Sequence, residues 1–127
     1  MRAILTPGAP KPVGPYCQAV VHGDLVFASG QIPLDPATGA LVGGPIEAQA
    51  ERVLMNLRAV LEAAGSDLSR VLRTTVYVTD LSLFARVNAV YARFFATSPQ
   101  PARATVQVAA LPLGALIEID AIAGLPD

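Results

Sequence analysis

Residues 70–96 read RVLRTTVYV, TD, LSLFARVNAVYARFFA, and the change of period within this stretch decides the fold. Arg70 to Val78 alternates and is rich in β-branched residues, which is the pattern of a strand. Thr79-Asp80 offers an N-cap. From Leu81 to Ala96 the apolar residues Phe84, Val87, Tyr91 and Phe94/Phe95 recur at helical spacing, with Asn88 beside their stripe. Upstream, Ile46 to Ala64 has the same period: Ile46, Ala50, Val53, Leu54, Leu57, Val60, Leu61 and Ala64 share one face, and Glu47, Glu51, Arg52, Asn56, Arg58 and Glu62 the other. Pro45 suits the first turn of that helix and Gly65 its C-terminal cap.

The flanks are strands and turns. Gln18 to Ser29 holds two apolar runs around Gly23-Asp24, a hairpin pattern. Met1 to Leu5 reads as a short edge strand. Thr6 to Pro15 (TPGAPKPVGP) is a stiff loop that ends at Tyr16. Leu34 to Gly44 is a loop. Beyond the second helix, Arg103 to Ala109 and Leu116 to Ala123 alternate as strands on either side of a turn at Leu111–Gly114; whether that turn closes a hairpin is open, because the sequence does not fix register. The order ββαβαββ, with one more strand at the N-terminus, gives a single α+β domain over residues 1–127: a mixed sheet with two helices packed on one face. No helix remains for the other face, so another subunit is expected to cover it.

Composition narrows the function. Of 127 residues, 53% are hydrophobic and 15% charged, enough apolar material for a core and more than a small domain hides by itself. Net charge is −1, the pI is about 5.7, and Lys11 is the only lysine. Without a basic face, electrostatic nucleic-acid binding is disfavoured. One cysteine, Cys17, makes no internal disulfide, and one histidine, His22, makes no Cys/His zinc cluster. No apolar run reaches the length of a membrane span, and no basic n-region with an h-region opens the chain. A cytoplasmic location is the expectation.

Few residues carry reactive chemistry. Arg103 stands where the rigid Pro101-Ala102 segment enters a strand, a place that holds a guanidinium firmly, and its planar fork matches a carboxylate. Alone, it reads first as a surface arginine paired with an acid, since most charges are solvated. Glu118 interrupts the apolar run of Leu116, Ile117 and Ile119, and partial burial would raise its pKa toward a range useful for proton transfer; simple alternation on a half-exposed strand is the competing reading, and Asp120 shares the ambiguity. Arg103 and Glu118 can approach one another if the hairpin register permits. Tyr16 offers a phenol at a stiff corner. Gly30, after Ser29, would let backbone approach a ligand closely. Asn88 suits a structural hydrogen bond, and Thr105 could hold a water.

Ordered blocks along nearly the whole chain resemble the Rid (YjgF) family of reactive intermediate deaminases. They are Ala9-Pro10 with Val13-Gly14-Pro15-Tyr16; Ser29-Gly30-Gln31-Ile32-Pro33; Thr74 to Val78 with Asp80-Leu81; and Val87-Asn88 with Tyr91. The most specific block is Pro101-Ala102-Arg103, then Val106-x-Val108, Leu111-Pro112 and Ile117-Glu118-Ile119. The resemblance implies a chorismate-mutase-like homotrimer with three clefts between subunits. It also implies hydrolysis of 2-iminopropanoate and 2-iminobutanoate, with their enamine tautomers, to 2-oxo acids and ammonia, a reaction that protects PLP enzymes. No metal or other cofactor is implied. By the same resemblance Arg103 clamps the substrate carboxylate, Glu118 orients the water and moves protons, and Tyr16 helps fix substrate or water. Gly30 contributes backbone, with Ser29 and Asn88 close by. Thr105 stands where some relatives have cysteine, which removes any thiol-dependent role. A ligand-binding regulator without turnover and a single-strand RNA endonuclease are the alternatives.

Overall fold

The computed structural model describes residues 1–127. Its strands are β1 (Arg2–Ile4), β2 (Ala19–His22), β3 (Leu25–Gln31), β4 (Val71–Val78), β5 (Ala102–Gln107) and β6 (Ile117–Gly124); its helices are α1 (Ile46–Ala63) and α2 (Phe84–Phe94). The six strands form one sheet in the order β1-β2-β3-β6-β4-β5. Every pairing is antiparallel except β4 with β5. This is the expected mixed sheet with both helices on one face.

Period-two burial sets the two faces of the sheet. Ile117, Ile119, Ala121 and Ala123 of β6 are buried, and so are Thr74, Val76 and Val78 of β4; the hydrophobic ones form one core with Val53, Leu54, Leu57, Val60 and Leu61 of α1 and Val87, Val90, Tyr91 and Phe95 at α2. The opposite face carries no helix. Phe27 stays 42% exposed, Val106 41% and Leu72, at the β4 bulge, 53%. No helix is long and apolar enough to cross a membrane.

One open point is settled and one expectation changes. Leu111–Gly114 does not close a hairpin between the last two strands: it contains a 3-10 turn at Pro112–Gly114, and the chain crosses so that β4 lies between β5 and β6. Asn56, assigned to the solvent face of α1, is fully buried, because its Nδ2 donates to the Leu34 and Ile32 carbonyls and ties the 32–34 segment to the helix. Gln49 acts similarly, accepting from Leu116 N at 3.1 Å at the entry to β6. Backbone groups taken out of water need partners, and polar helix residues provide them here.

The second helix begins at Phe84, the first residue of its apolar stripe, rather than at Leu81. A 3-10 turn at Leu81–Leu83 precedes α2, with Asp80 Oδ1 accepting from Ser82 N at 2.9 Å, so the expected cap is present one turn earlier. Gln107 Oε1 accepts from Leu81 N at 2.8 Å and ties this turn to the end of β5.

Candidate active site

Arg103 lies on the helix-covered face of the edge strand β5, opposite Thr74 in the parallel register. Its guanidinium carbon sits 4.7 Å from the ring centre of Tyr91 and 5.5 Å from that of Phe84. Its Nη1 donates to Asn88 Oδ1 at 2.8 Å. Tyr91 is itself held, with 2.7 Å between its hydroxyl and Thr74 Oγ1, and burial pushes its phenol pKa up. Two rings and one neutral amide thus immobilise the cation without neutralising it. A cavity lined by Asn88, Tyr91, Ala92, Gln100, Pro101 and Arg103 opens beside it.

Glu118 lies on the other face of the sheet. Its neighbours along β6, Ile117 and Ile119, point into the helix-side core, so its own half-buried side chain points away from both helices. It pairs with Tyr77 across the β4 ladder. Burial, with a further contribution from the charge of Asp120, pushes its carboxyl pKa up. On the other flank, β3 carries a bulge between Ala28 and Gln31. Gly30 sits in it under the Glu118 carboxylate; a Cβ there would lie 2.8 Å from Glu118 Cδ, nearer than real Cβ contacts allow. The glycine therefore makes room for the acid.

Tyr16 joins this second group. It lines a cavity with Gly30, Pro10, Lys11, Gln18 and Gln31. The Pro/Gly-rich loop that delivers it is clamped by buried Gln18, whose Oε1 accepts from Thr6 N at 2.6 Å and whose Nε2 donates to the Pro10 carbonyl at 2.9 Å. Ser29 Oγ donates to the Cys17 carbonyl at 2.6 Å, fastening the loop's end to β3.

The expected site residues therefore fall into two groups. Arg103 and Asn88 form one, and Glu118, Tyr16, Gly30 and Ser29 the other. The groups are on opposite faces, and Arg103 and Glu118 are two strand spacings apart across β4, about 10 Å along the sheet. The hairpin that would have let them approach one another does not form, since β4 separates their strands. The ion pairs of the chain, Arg70–Asp67, Arg86–Glu47 and Arg93–Glu51, include neither residue. Thr105 shares the face of Arg103, and its Oγ1 is the one buried side-chain polar atom without a hydrogen-bond partner.

Sequence reasoning missed the roles of Phe84 and Tyr91, which were assigned only to the apolar stripe of their helix. The available signal was the spacing of Phe84, Asn88 and Tyr91, which puts two rings and an amide on one helical face. No three His, Cys, Asp or Glu side chains converge as a metal-binding group.

Known proteins resemble this chain over its full domain. Residues 6–125 match the model of the family described as Endoribonuclease L-PSP. Protein DfrA of Myxococcus xanthus is 60% identical over 96% of this chain and 94% of its own. Reactive Intermediate Deaminase A, chloroplastic, of Arabidopsis thaliana is 48% identical over 96% of this chain and 65% of its own. The solved structure of Escherichia coli TdcF with bound serine superposes with a TM-score of 0.94 at 41% identity, covering 99% of this chain and all of that one.

Proposed function

The chain belongs to the Rid (YjgF) family, the Endoribonuclease L-PSP family of the matching model, and from that premise we propose that it hydrolyses small 2-imino acids to 2-oxo acids and ammonia in clefts between the subunits of a homotrimer. The observation that carries this reading is the separation of Arg103 and Glu118 onto opposite faces of one sheet, each without an ionic partner in its own chain. A cation held only by rings and an amide suits an incoming anion. A half-buried carboxylate with a raised pKa suits a proton acceptor. They meet over one substrate only if Arg103 comes from one subunit and Glu118 from the next. The exposed apolar residues of the open face, Phe27, Leu72 and Val106, support burial against a second copy.

In this cleft the Arg103 fork holds the substrate carboxylate. The imine carbon, with its nitrogen protonated, is already electrophilic. Glu118 takes a proton from water as the water oxygen bonds to that carbon. Protonation of the nitrogen in the resulting carbinolamine and loss of the hydroxyl proton break the C–N bond, leaving 2-oxo acid and ammonia. Tyr16 and the Gly30 backbone border the Glu118 side of the reacting centre, and the partnerless Thr105 hydroxyl is available to the substrate or water on the Arg103 side. Asn88 acts through Arg103, as the residue that aims its guanidinium. The name of the Arabidopsis relative agrees with a deamination, and the serine bound to the Escherichia coli relative with a small α-carboxylate ligand.

The family model's description favours RNA cleavage as a second reading. Net charge −1 and 6% aromatic residues argue against single-strand RNA as the main ligand. One experiment separates these readings and a regulator without turnover. Imines generated in situ from alanine and 2-aminobutanoate by an amino-acid oxidase are followed against the nonenzymatic rate, beside a single-strand RNA substrate, with the mass in solution measured by light scattering. Accelerated imine loss by a species of three chains is expected. RNA cleavage without imine hydrolysis, or a monomer at micromolar concentration, overturns the reading.

A further inference from the structure

The open face holds two carboxylates with different surroundings. Glu118 and Asp120 are two residues apart on β6 and so point the same way, roughly 7 Å apart at their backbones. Between them stands Tyr77 of β4. Its backbone is paired with Glu118, yet its hydroxyl reaches along the ladder to donate to Asp120 Oδ2 at 2.9 Å. The phenol thus holds one acid and leaves the other free above Gly30.

We propose that Tyr77 and Asp120 are positioning residues for the reaction: the phenol fixes the Asp120 carboxylate beside Glu118 on one face, and this fixed charge sets the pH range in which Glu118 accepts the proton of the attacking water. The inference rests on the hydrolytic reading of Glu118 given above. The geometry supplies the reason. An unanchored aspartate on an open face turns to water and its charge is screened, whereas a hydrogen-bonded one acts on its neighbour at a set distance.

The other groups facing Glu118 do not duplicate this effect. From β3 comes Gly30, which does not titrate. From the loop before β2 come Tyr16 and Lys11, which line the cavity beside Gly30. Arg73 of β4 lies at the far end of the ladder, opposite Ile122. In the proposed trimer the neighbouring subunit adds Arg103, which acts in the opposite sense to Asp120. Burial is the larger cause of the raised Glu118 pKa and the Asp120 charge the second; burial and the Asp120 contact likewise raise the Tyr77 phenol.

The sign follows. Glu118 works as a base when ionised, so activity falls as pH drops through its raised pKa. Asp120→Asn still accepts the Tyr77 hydroxyl but carries no charge. It should lower the Glu118 midpoint by about 0.5 to 1 pH unit and move the acid limb of kcat down by the same amount. Tyr77→Phe, which frees Asp120 to turn outward, should move both in the same direction by less. The midpoint is read by carbon-13 NMR of the carboxyl-labelled intact protein, and the limb by single-turnover hydrolysis of 2-iminopropanoate. An unmoved Glu118 midpoint in Asp120→Asn overturns the proposal, and so does a moved midpoint with an unmoved acid limb. Absence of hydrolysis by the unaltered protein overturns the proposed function, and with it the catalytic part of this inference. The NMR midpoint still decides whether Asp120 acts on Glu118.

Discussion

The two halves of the candidate site are built by opposite means. Around Arg103 every restraint comes from the same chain: α2 supplies Phe84, Asn88 and Tyr91, and β4 supplies Thr74 to hold the tyrosine. Around Glu118 the chain supplies clearance in the form of Gly30, with an anchored charge nearby, and leaves the carboxylate itself unpaired. A side chain that must recognise a planar anion gains from rigid aim. One that must take up and release a proton gains from a partly dry setting without a fixed counter-charge. Under the proposed function the contrast also means that neither half suffices, because one sheet cannot present both groups to a single small molecule.

The largest effect that would sharpen this contrast is expected at the acid. Glu118→Gln keeps shape and loses basicity, so kcat should fall by roughly 10²–10⁴-fold. Titration calorimetry should show 2-oxobutanoate binding nearly as before, since Arg103 still holds its carboxylate. A parallel loss of oxo-acid affinity would instead make Glu118 part of the binding half.

Arg103→Lys should show the converse. It keeps the charge but loses the fork, the Asn88 geometry and the ring stacking. We expect kcat/KM to drop by about 10- to 100-fold, carried mostly by weaker oxo-acid binding. Wild-type turnover of 2-iminopropanoate by this variant would remove Arg103 as the carboxylate clamp.

Mixing the two variants tests whether the halves lie on different subunits. When Glu118→Gln and Arg103→Lys chains are co-refolded at equal amounts, each cleft draws its arginine and its glutamate from two chains independently. About one quarter of the clefts should then be intact, and activity should recover toward that fraction. Recovery no greater than the mean of the separate variants would put both residues in one chain's site.

The smallest effect is expected at Gly30→Ala. The new Cβ meets the far end of the Glu118 side chain, which can turn aside without moving the backbone. Turnover should fall roughly 3- to 10-fold through misplacement of the acid, with thermal stability and oxo-acid binding little changed. A large loss of stability would give Gly30 a role in the β3 bulge rather than clearance for Glu118.

Element types were legible in the sequence because they depend on local period. The switch from alternation at Arg70–Val78 to helical spacing after Asp80, the Gly23-Asp24 turn and the stripe of α1 each reappear in the structure within a few residues. The facing of residues within one strand is legible for the same reason: a period of two puts Glu118 with Asp120, and Arg103 with Thr105, on a common face. The Rid-like blocks named the candidate residues, and Arg103, Glu118, Gly30 and Asn88 all sit where the structure gives them defined surroundings.

What only the tertiary structure decided is how those strands lie beside one another. A period of two states which residues share a face, but not which strand lies next door, and neighbour choice is a long-range matter of pairing and crossover. Adjacent alternating segments joined by a short turn look like a hairpin. In the fold β5 runs parallel to β4 at the edge while β6 inserts between β3 and β4, and this sends Arg103 to the helix side and Glu118 to the open side. The same limit hid Gln18, Gln49 and Asn56. Only Asn56 was assigned to a solvent face, but all three are buried, because loop backbone groups removed from water required a partner that only folding brings within reach.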